Sequence, residues 1–414
     1  MQRRNLNIFL LSIVILVSAS SSYAQLLPIS YDTLEISNEV ILDGGVDYYS
    51  TAIEKDITSK FIRGGFISEQ MKDNSLAKHG AVNRFGGIGV GSIEYRNYKR
   101  KIFKKKNWGY LIKGGYNAFF GMIYSKDMFG LAMYGNEMYR GETIDMSGMN
   151  MSFMSYQKIG FGLIDARSKS NISFNVYNIS NRTTAQFRTL ELTQDSSGDN
   201  LDISMDGSVE LSSNKKFNQG IGFGIDADFK FPIEWGKEDN MAYIQLQAQN
   251  IGFAYMYEKQ QVYKMDTSFS FTGFSFDQII GENALFGDSV SVLDSLGIQS
   301  SEKNRTVLLP GFIQVGKIVD EHSTKKLQSF FGIRLYPTLI YSPFLYVGLN
   351  YKPLEMLNIG VNASYGGFGG FRGGLYASLK FSNYSIGIAT ENIVGFVSKK
   401  ANGESLFIKL RWAI

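Results

Sequence analysis

The chain has no cysteine among its 414 residues. That absence excludes disulfides, thiolate metal centres and a lipidated N-terminal cysteine. Histidine is nearly missing too. His79 and His322 stand alone in polar segments, too few for a histidine-built metal site. With no G-x-S-x-G and no histidine in an alternating strand, the sequence offers no serine-hydrolase constellation and is not read as an enzyme. No cofactor motif is present. The run Gly86-Gly87-Ile88-Gly89-Val90-Gly91 lacks the G-x-G-x-x-G spacing and a following helix, and small residues facing a crowded interior account for it better. The formal charge is only +4, so there is no basic excess to ask for DNA or RNA. Proline is scarce at 6 residues, and beyond the first 24 residues no apolar run nears the roughly 20 that carry a helix across a bilayer.

What the sequence does have begins with an export signal over residues 1–24. Arg3 and Arg4 form a basic start, residues 8–17 an apolar core, and Ser22-Tyr23-Ala24 a small-x-small cleavage site. Ten apolar residues are too short for a membrane anchor, so cleavage leaving Gln25 first is expected. The remainder is rich in Gly (44), Phe (31) and Tyr (24), a composition that favours strands.

Period-2 alternation carries the fold assignment. A barrel in lipid faces hydrocarbon outside and a polar lumen inside, so successive side chains must differ in kind. Leu357, Ile359, Val361, Ala363 and Tyr365 alternate with Asn358, Gly360, Asn362 and Ser364. Ile221, Phe223, Ile225, Ala227 and Phe229 alternate with Gly222, Gly224, Asp226, Asp228 and Lys230. The final residues Leu406, Ile408, Leu410, Trp412 and Ile414 form one apolar stripe, similar to the C-terminal targeting strand read by the outer-membrane assembly machinery, though an aromatic is usual where Ile414 stands. A secreted β-sandwich would rarely end in such a strand. The pattern predicts an all-β, antiparallel transmembrane barrel of about 14 strands over residues 86–414, embedded in outer-membrane lipid. Candidate strands include 86–98, 108–118, 170–180, 183–193, 242–249, 262–274 and 405–414. Residues 25–85 are expected to form an N-terminal periplasmic or plug segment, 119–150 to fold into the lumen, and 277–305 to make a long surface loop.

The chain also resembles a family of large Bacteroidetes outer-membrane proteins carrying a domain of unknown function, distantly similar to FadL- and PorV-type barrels. The resemblance rests on Phe61-Ile62-Arg63-Gly64-Gly65-Phe66, Phe129-Gly130-Leu131-Ala132-Met133-Tyr134-Gly135-Asn136, Tyr156-Gln157-Lys158-Ile159-Gly160-Phe161-Gly162 and Thr390-Glu391-Asn392-Ile393-Val394-Gly395, and covers nearly the whole mature chain. It implies a FadL-like barrel of the cell outer membrane and supplies no substrate.

Three groups of residues are candidates for function. Met122, Met128, Phe129, Met133, Met146, Met149 and Phe153 are the expected contact region for a small hydrophobic molecule bound or passed by the barrel. The M-x-x-M-x-M-x-x-M spacing of Met146, Met149, Met151 and Met154 is one that Cu(I) exploits, but without cysteine or a nearby histidine it stands as a pliable apolar surface, and no metal is expected. Asp226, Asp228, Lys230, Arg334, Arg372 and Lys380 fall on lumen faces, either as an internal ion-pair network or as a selectivity lining. Lys99, Arg100, Lys101, Lys104, Lys105 and Lys106 form a basic tract, either a solvated turn or a contact for lipid phosphates or an acidic partner. Asp32-Thr33-Leu34, Asp288-Ser289-Val290 and Asp294-Ser295-Leu296 resemble sites glycosylated in exported Bacteroidetes proteins. The alternative to a transporter is a plugged barrel serving as adaptor for protein partners in a larger outer-membrane complex.

Overall fold

A computed structural model describes residues 37–99, 107–197, 200–212, 216–234, 241–271, 298–320 and 323–414. The expected signal peptide, the three tripeptides above, His322, and Arg100 to Lys106 of the basic tract lie outside the described residues.

The strands are β1 (Asn38–Ser50), β2 (Asn83–Asn97), β3 (Trp108–Tyr124), β4 (Thr143–Asp145), β5 (Asn150–Asp165), β6 (Asn171–Gln194), β7 (Leu201–Ser212), β8 (Gly220–Glu234), β9 (Met241–Phe271), β10 (Ile298–Leu308), β11 (Phe312–Ile318), β12 (Leu327–Leu335), β13 (Ser342–Leu354), β14 (Leu357–Gly367), β15 (Phe371–Lys380), β16 (Tyr384–Thr390) and β17 (Gly403–Ala413). All but β4, β7 and β10 join edge to edge in a closed antiparallel ring, a 14-strand barrel. Closure comes where β17 pairs β1, with Val40 opposite Trp412 and Leu42 opposite Leu410. In lipid a wall made of strands must close in this way for every backbone N–H and C=O to be bonded.

The two faces of the wall differ as lipid requires. On β13, Leu345, Val347, Leu349 and Tyr351 point outward and are exposed, while Phe344, Tyr346 and Asn350 point inward and are buried. The same parity puts Leu406, Ile408, Leu410 and Trp412 of β17 on the outside and Ser405 and Phe407 on the inside.

Two wall strands run past the rim. About ten residues of tilted strand cross a bilayer, whereas β6 has 24 and β9 has 31. Beyond the wall, β7 pairs with both over-length halves, β10 joins the outer half of β9, and β4 joins β6. Together they form a sheet that projects from one end of the barrel. That end also carries the helices and the longer connections. The opposite end holds both ends of the wall, Asn38 and Ala413, and tight turns such as residues 355–356 and 381–383. Short turns mark the periplasmic side of such barrels and long loops the outer side.

Several expectations are corrected. Residues 38–50, expected to lie outside the wall, form its first strand. Their alternation is masked because Ile41 and Tyr49 point inward among Glu39, Asp43 and Asp47. Residues 298–305, expected in a loop, belong to β10, a strand outside lipid that needs no apolar face. Residues 119–150 do not fold into the lumen as a segment: 119–124 complete the wall strand β3, and the rest lies outside it. Phe119 and Ile123 face inward, but Met122 and Tyr124, like Phe85 on β2, have the opposite parity and face out. Against them pack α1 (Lys55–Arg63), α2 (Glu69–Leu76) and α3 (Lys126–Tyr134), making a helical cap on the outer face of β2 and β3 at the loop end. Ser68 and Ser125 cap α2 and α3 by accepting the backbone N–H groups of Met71 and Met128. A fourth, single-turn helix, α4 (Val394–Val397), follows β16 beside this cap.

Candidate functional site

The lumen is filled from the wall and from two inward-turned loops. Toward the terminus end and mid-barrel the filling is charged. Asp226 on β8 lies 2.6 Å from Lys113 on β3 and 2.8 Å from Lys158 on β5. Lys158 also donates to Asn250 Oδ1 at 2.9 Å, and Asn250 N–H donates to Asp226 at 2.6 Å. A β-bulge arranges this. Ile225 pairs Ile251 and Ala227 pairs Ala248, so Asp226 alone faces two residues of β9. The extra residue, Asn250, takes φ 53°, a left-handed conformation that asparagine tolerates better than most side chains. Nearby, Asp228 accepts from Lys230 at 3.3 Å and from Gln245 at 2.8 Å. Closer to the terminus end Glu39 is held by Arg96, Arg411 and Tyr98.

Toward the loop end the filling is aromatic. Tyr49, Phe119, Phe312, Phe344 and Tyr346 project from the wall and meet Tyr336, Ile340 and Tyr341 of the 336–341 loop and Phe368 of the β14–β15 turn. The Tyr336 and Tyr341 rings meet at 4.5 Å, tilted by 52°, and Tyr341 meets Phe368 edge-on at 5.0 Å. The loops approach so closely that a Cβ on Gly86 of β2 would collide with Phe368 and one on Gly121 of β3 with Ile340, so glycine is required at both positions. Arg372 is buried within this layer. It donates to both carboxylate oxygens of Asp47 at 2.9 and 3.1 Å and lies over the rings of Tyr49 (4.8 Å) and Phe344 (5.0 Å). Arg334 donates to Gln314 at 2.7 Å and sits 5.0 Å from the Phe312 ring. The 336–341 and β14–β15 loops therefore pack among the wall's aromatic side chains at the loop end.

Two cavities flank the 336–341 loop. A mouth cavity of about 780 Å³ is lined by the apolar Met149, Phe187, Met265 and Leu339 and by polar residues including Gln186, Arg188, Asp206, Lys264, Asp266 and Gln299. A smaller one of about 100 Å³ lies against Phe119, Met154, Leu309, Tyr336 and Pro337.

The residues singled out from sequence separate into distinct places. Asp226, Asp228, Lys230, Arg334 and Arg372 all face the lumen and are buried. Lys380 is half-buried at the terminus end, beside a cavity of about 410 Å³ lined by Lys352, Glu355 and Asn358. Met122, Met128, Phe129 and Met133 come together, but in the outer helical cap. Met146 packs beside that cap with Tyr139 and Ile144. Met149 borders the mouth cavity, and Phe153 is buried on β5 apart from these clusters. Lys99 is exposed just past β2, at the terminus end. His79 also belongs to the cap. Its ring stacks on Phe129 at 4.2 Å, with Nδ1 2.7 Å from the Ser75 carbonyl and Nε2 3.1 Å from the Tyr124 hydroxyl. Burial holds its imidazole below the usual value.

A closed wall with an apolar outer band, a polar and aromatic filling, and long connections at one end defines an outer-membrane β-barrel. The chain belongs to a family of unknown function (DUF5723), matched over residues 100–391. No curated protein matches its sequence. Among solved structures it is similar to the TodX deltaS2S3 mutant monoaromatic hydrocarbon channel, at 9% identity and a TM-score of 0.41 over 95% of both chains. It is similar also to the toluene transporter TodX of P. putida, at 10% identity and a TM-score of 0.36 over 95% of both chains. A third is the translocator domain of autotransporter NalP from Neisseria meningitidis, at 8% identity and a TM-score of 0.31, covering 93% of this chain and 91% of that one.

Proposed function

We propose that this barrel binds a small apolar molecule at its loop end and admits it toward the lumen when the 336–341 loop moves. The observation that carries this reading is the pair of cavities on either side of that loop, the wide one at the mouth and the narrow one ending on Phe119 and Tyr336. Small-molecule sites combine apolar surface with a few placed polar groups, and here Met149, Phe187, Met265 and Leu339 stand among polar side chains such as Gln186, Arg188, Asp206 and Lys264, which suits an apolar molecule with a polar end. In this reading Leu339, Met149, Phe187 and Met265 make first contact, replacing the Met-rich outer cap. Equilibrium binding of an apolar fluorophore to the purified barrel tests it. Leu339→Asp and Met265→Ser should each weaken binding by roughly tenfold, the scale of one lost apolar contact. Equal binding by both variants and the parent protein sets the reading aside.

A second reading is favoured by the cross-lumen pairs Lys113–Asp226 and Arg372–Asp47, which tie non-adjacent strands together as in a permanently closed barrel. Such a barrel serves as adaptor, with its projecting sheet as the platform. Native purification distinguishes the two. A stoichiometric protein partner supports the adaptor, and a lone barrel that binds the fluorophore supports the carrier.

A further inference from the structure

The outer face at the loop end carries more cationic charge than the fold uses. Around α1 and α4, two lysines are committed to structure: Lys55 pairs with Glu404 at 3.1 Å and Lys78 with Glu54 at 2.9 Å. Four further cations, Lys60, Arg63, Lys399 and Lys400, form no ion pair or side-chain hydrogen bond among the described residues. The backbone brings their segments together. Lys55 N–H donates to the Ala401 carbonyl at 2.6 Å and Asp56 N–H to the Lys399 carbonyl at 3.2 Å. Asp56 is the one acid on α1.

Interleaved with these cations are large apolar side chains in the open. Phe66 is 82% exposed and Val397 80%, with Phe61, Val394 and Phe396 also exposed. The level of α4 on the barrel is set by Ile393, whose N–H donates to Gly373 at 2.8 Å, two residues from Phe371, and the start of α1 is tied to the same segment through Lys55 and Asp56. Phe371 pairs Tyr365 across the wall, and both point outward and are exposed. Outward aromatics at a strand end mark the depth of the lipid headgroups. Apolar side chains at that depth enter the acyl region, and each lysine or arginine there gains from anionic headgroups.

We infer that the α1–α4 surface binds a phosphorylated lipid of the outer leaflet, with Lys60, Arg63, Lys399 and Lys400 on the phosphates and Phe61, Phe66, Phe396 and Val397 against the acyl chains. The charge complementarity commits the surface to an anionic lipid. An uncharged partner would leave the four cations unmatched, and one acidic throughout would leave Phe66 and Val397 uncovered. The inference does not depend on what the lumen carries.

The test is native mass spectrometry of the full chain in detergent, titrated with bisphosphorylated lipid A and with its dephosphorylated form. The parent protein should retain the phosphorylated lipid at least tenfold more strongly. The variant K60Q/R63Q/K399Q/K400Q should lose that preference, while K325Q/K326Q at the terminus end should keep it. Heat-modifiable gel migration checks that each variant still forms a barrel. Equal retention of the two lipids, an unaltered quadruple variant, or an equal loss in K325Q/K326Q overturns the inference. So does a protein that copurifies with the parent and leaves the quadruple variant while lipid retention stays the same.

Discussion

Asp226 shows how much a single lumen side chain holds in place. Its carboxylate is buried and receives Lys113, Lys158 and the Asn250 N–H. Replacing it with Asn leaves two ammonium groups facing each other without their counter-charge, and removing one member of a buried network costs about 3–5 kcal/mol. Urea titration followed by gel migration should show that loss for Asp226→Asn, and much of it should return when Lys113 and Lys158 become Met in the same chain. His79 responds to pH. Because its folded-state value is depressed, the unfolded cap takes up the proton first. The stabilisation is therefore present above the ordinary histidine value of about 6.5 and fades as pH falls below it. Amide exchange in α1 to α3 should quicken below that pH, and His79→Phe should flatten the response. Strand parity was enough to place Asp226, Arg334 and Arg372 in the lumen, since a charge on an alternating strand has only two directions to point. Lys113 and Lys158 lay on equally regular strands, but their partner sits on β8, and no local pattern encodes a pairing across the barrel.

The elements differ in legibility for a physical reason. β13 to β17 alternate cleanly because hydrocarbon tolerates only apolar side chains on one face. β7 and β10 lie beyond the rim, where water relaxes that demand, and they were missed. Two continuous strands each looked like two. In β6 the polar residues Asn181-Arg182 imitate a turn at the point where the strand leaves the membrane, and in β9 the bulge at Asn250 breaks the parity. The Met-rich segment, expected to be non-strand over 119–150, instead completes β3 to Tyr124 and supplies β4 at Thr143–Asp145, with α3 between them, and periodicity does not say on which side of the wall a helix lies. Leu410 tests the lipid face. It is opposite Leu42 and Ile386 on the outside of the wall. Leu410→Lys should lower unfolding free energy by about 2–4 kcal/mol if it sits near the bilayer midplane, measured by refolding into lipid vesicles. Truncation from residue 408 opens the ring and should abolish accumulation in the outer membrane, seen as loss from the membrane fraction.

At the scale of the molecule the two ends are chemically distinct, and the absence of cysteine makes the orientation easy to read. Ser204→Cys on the projecting sheet should react with a membrane-impermeant maleimide on intact cells. Ser382→Cys in a tight turn at the opposite end should react only after the outer membrane is broken. The reverse result would invert the assigned sidedness and remove the outer-leaflet site with it. Ring closure also sets the order of assembly. Val40 and Trp412 become neighbours only at the last step, and they are nearly as far apart in sequence as the chain permits. A chain delivered N-terminus first must therefore keep β1 without its β17 partner until its final residues arrive, presenting an open strand edge in an aqueous compartment. The rate of biogenesis is thus tied to how long an escort shields that edge, and a shortage of such escorts should appear as aggregation of full-length, unclosed chains.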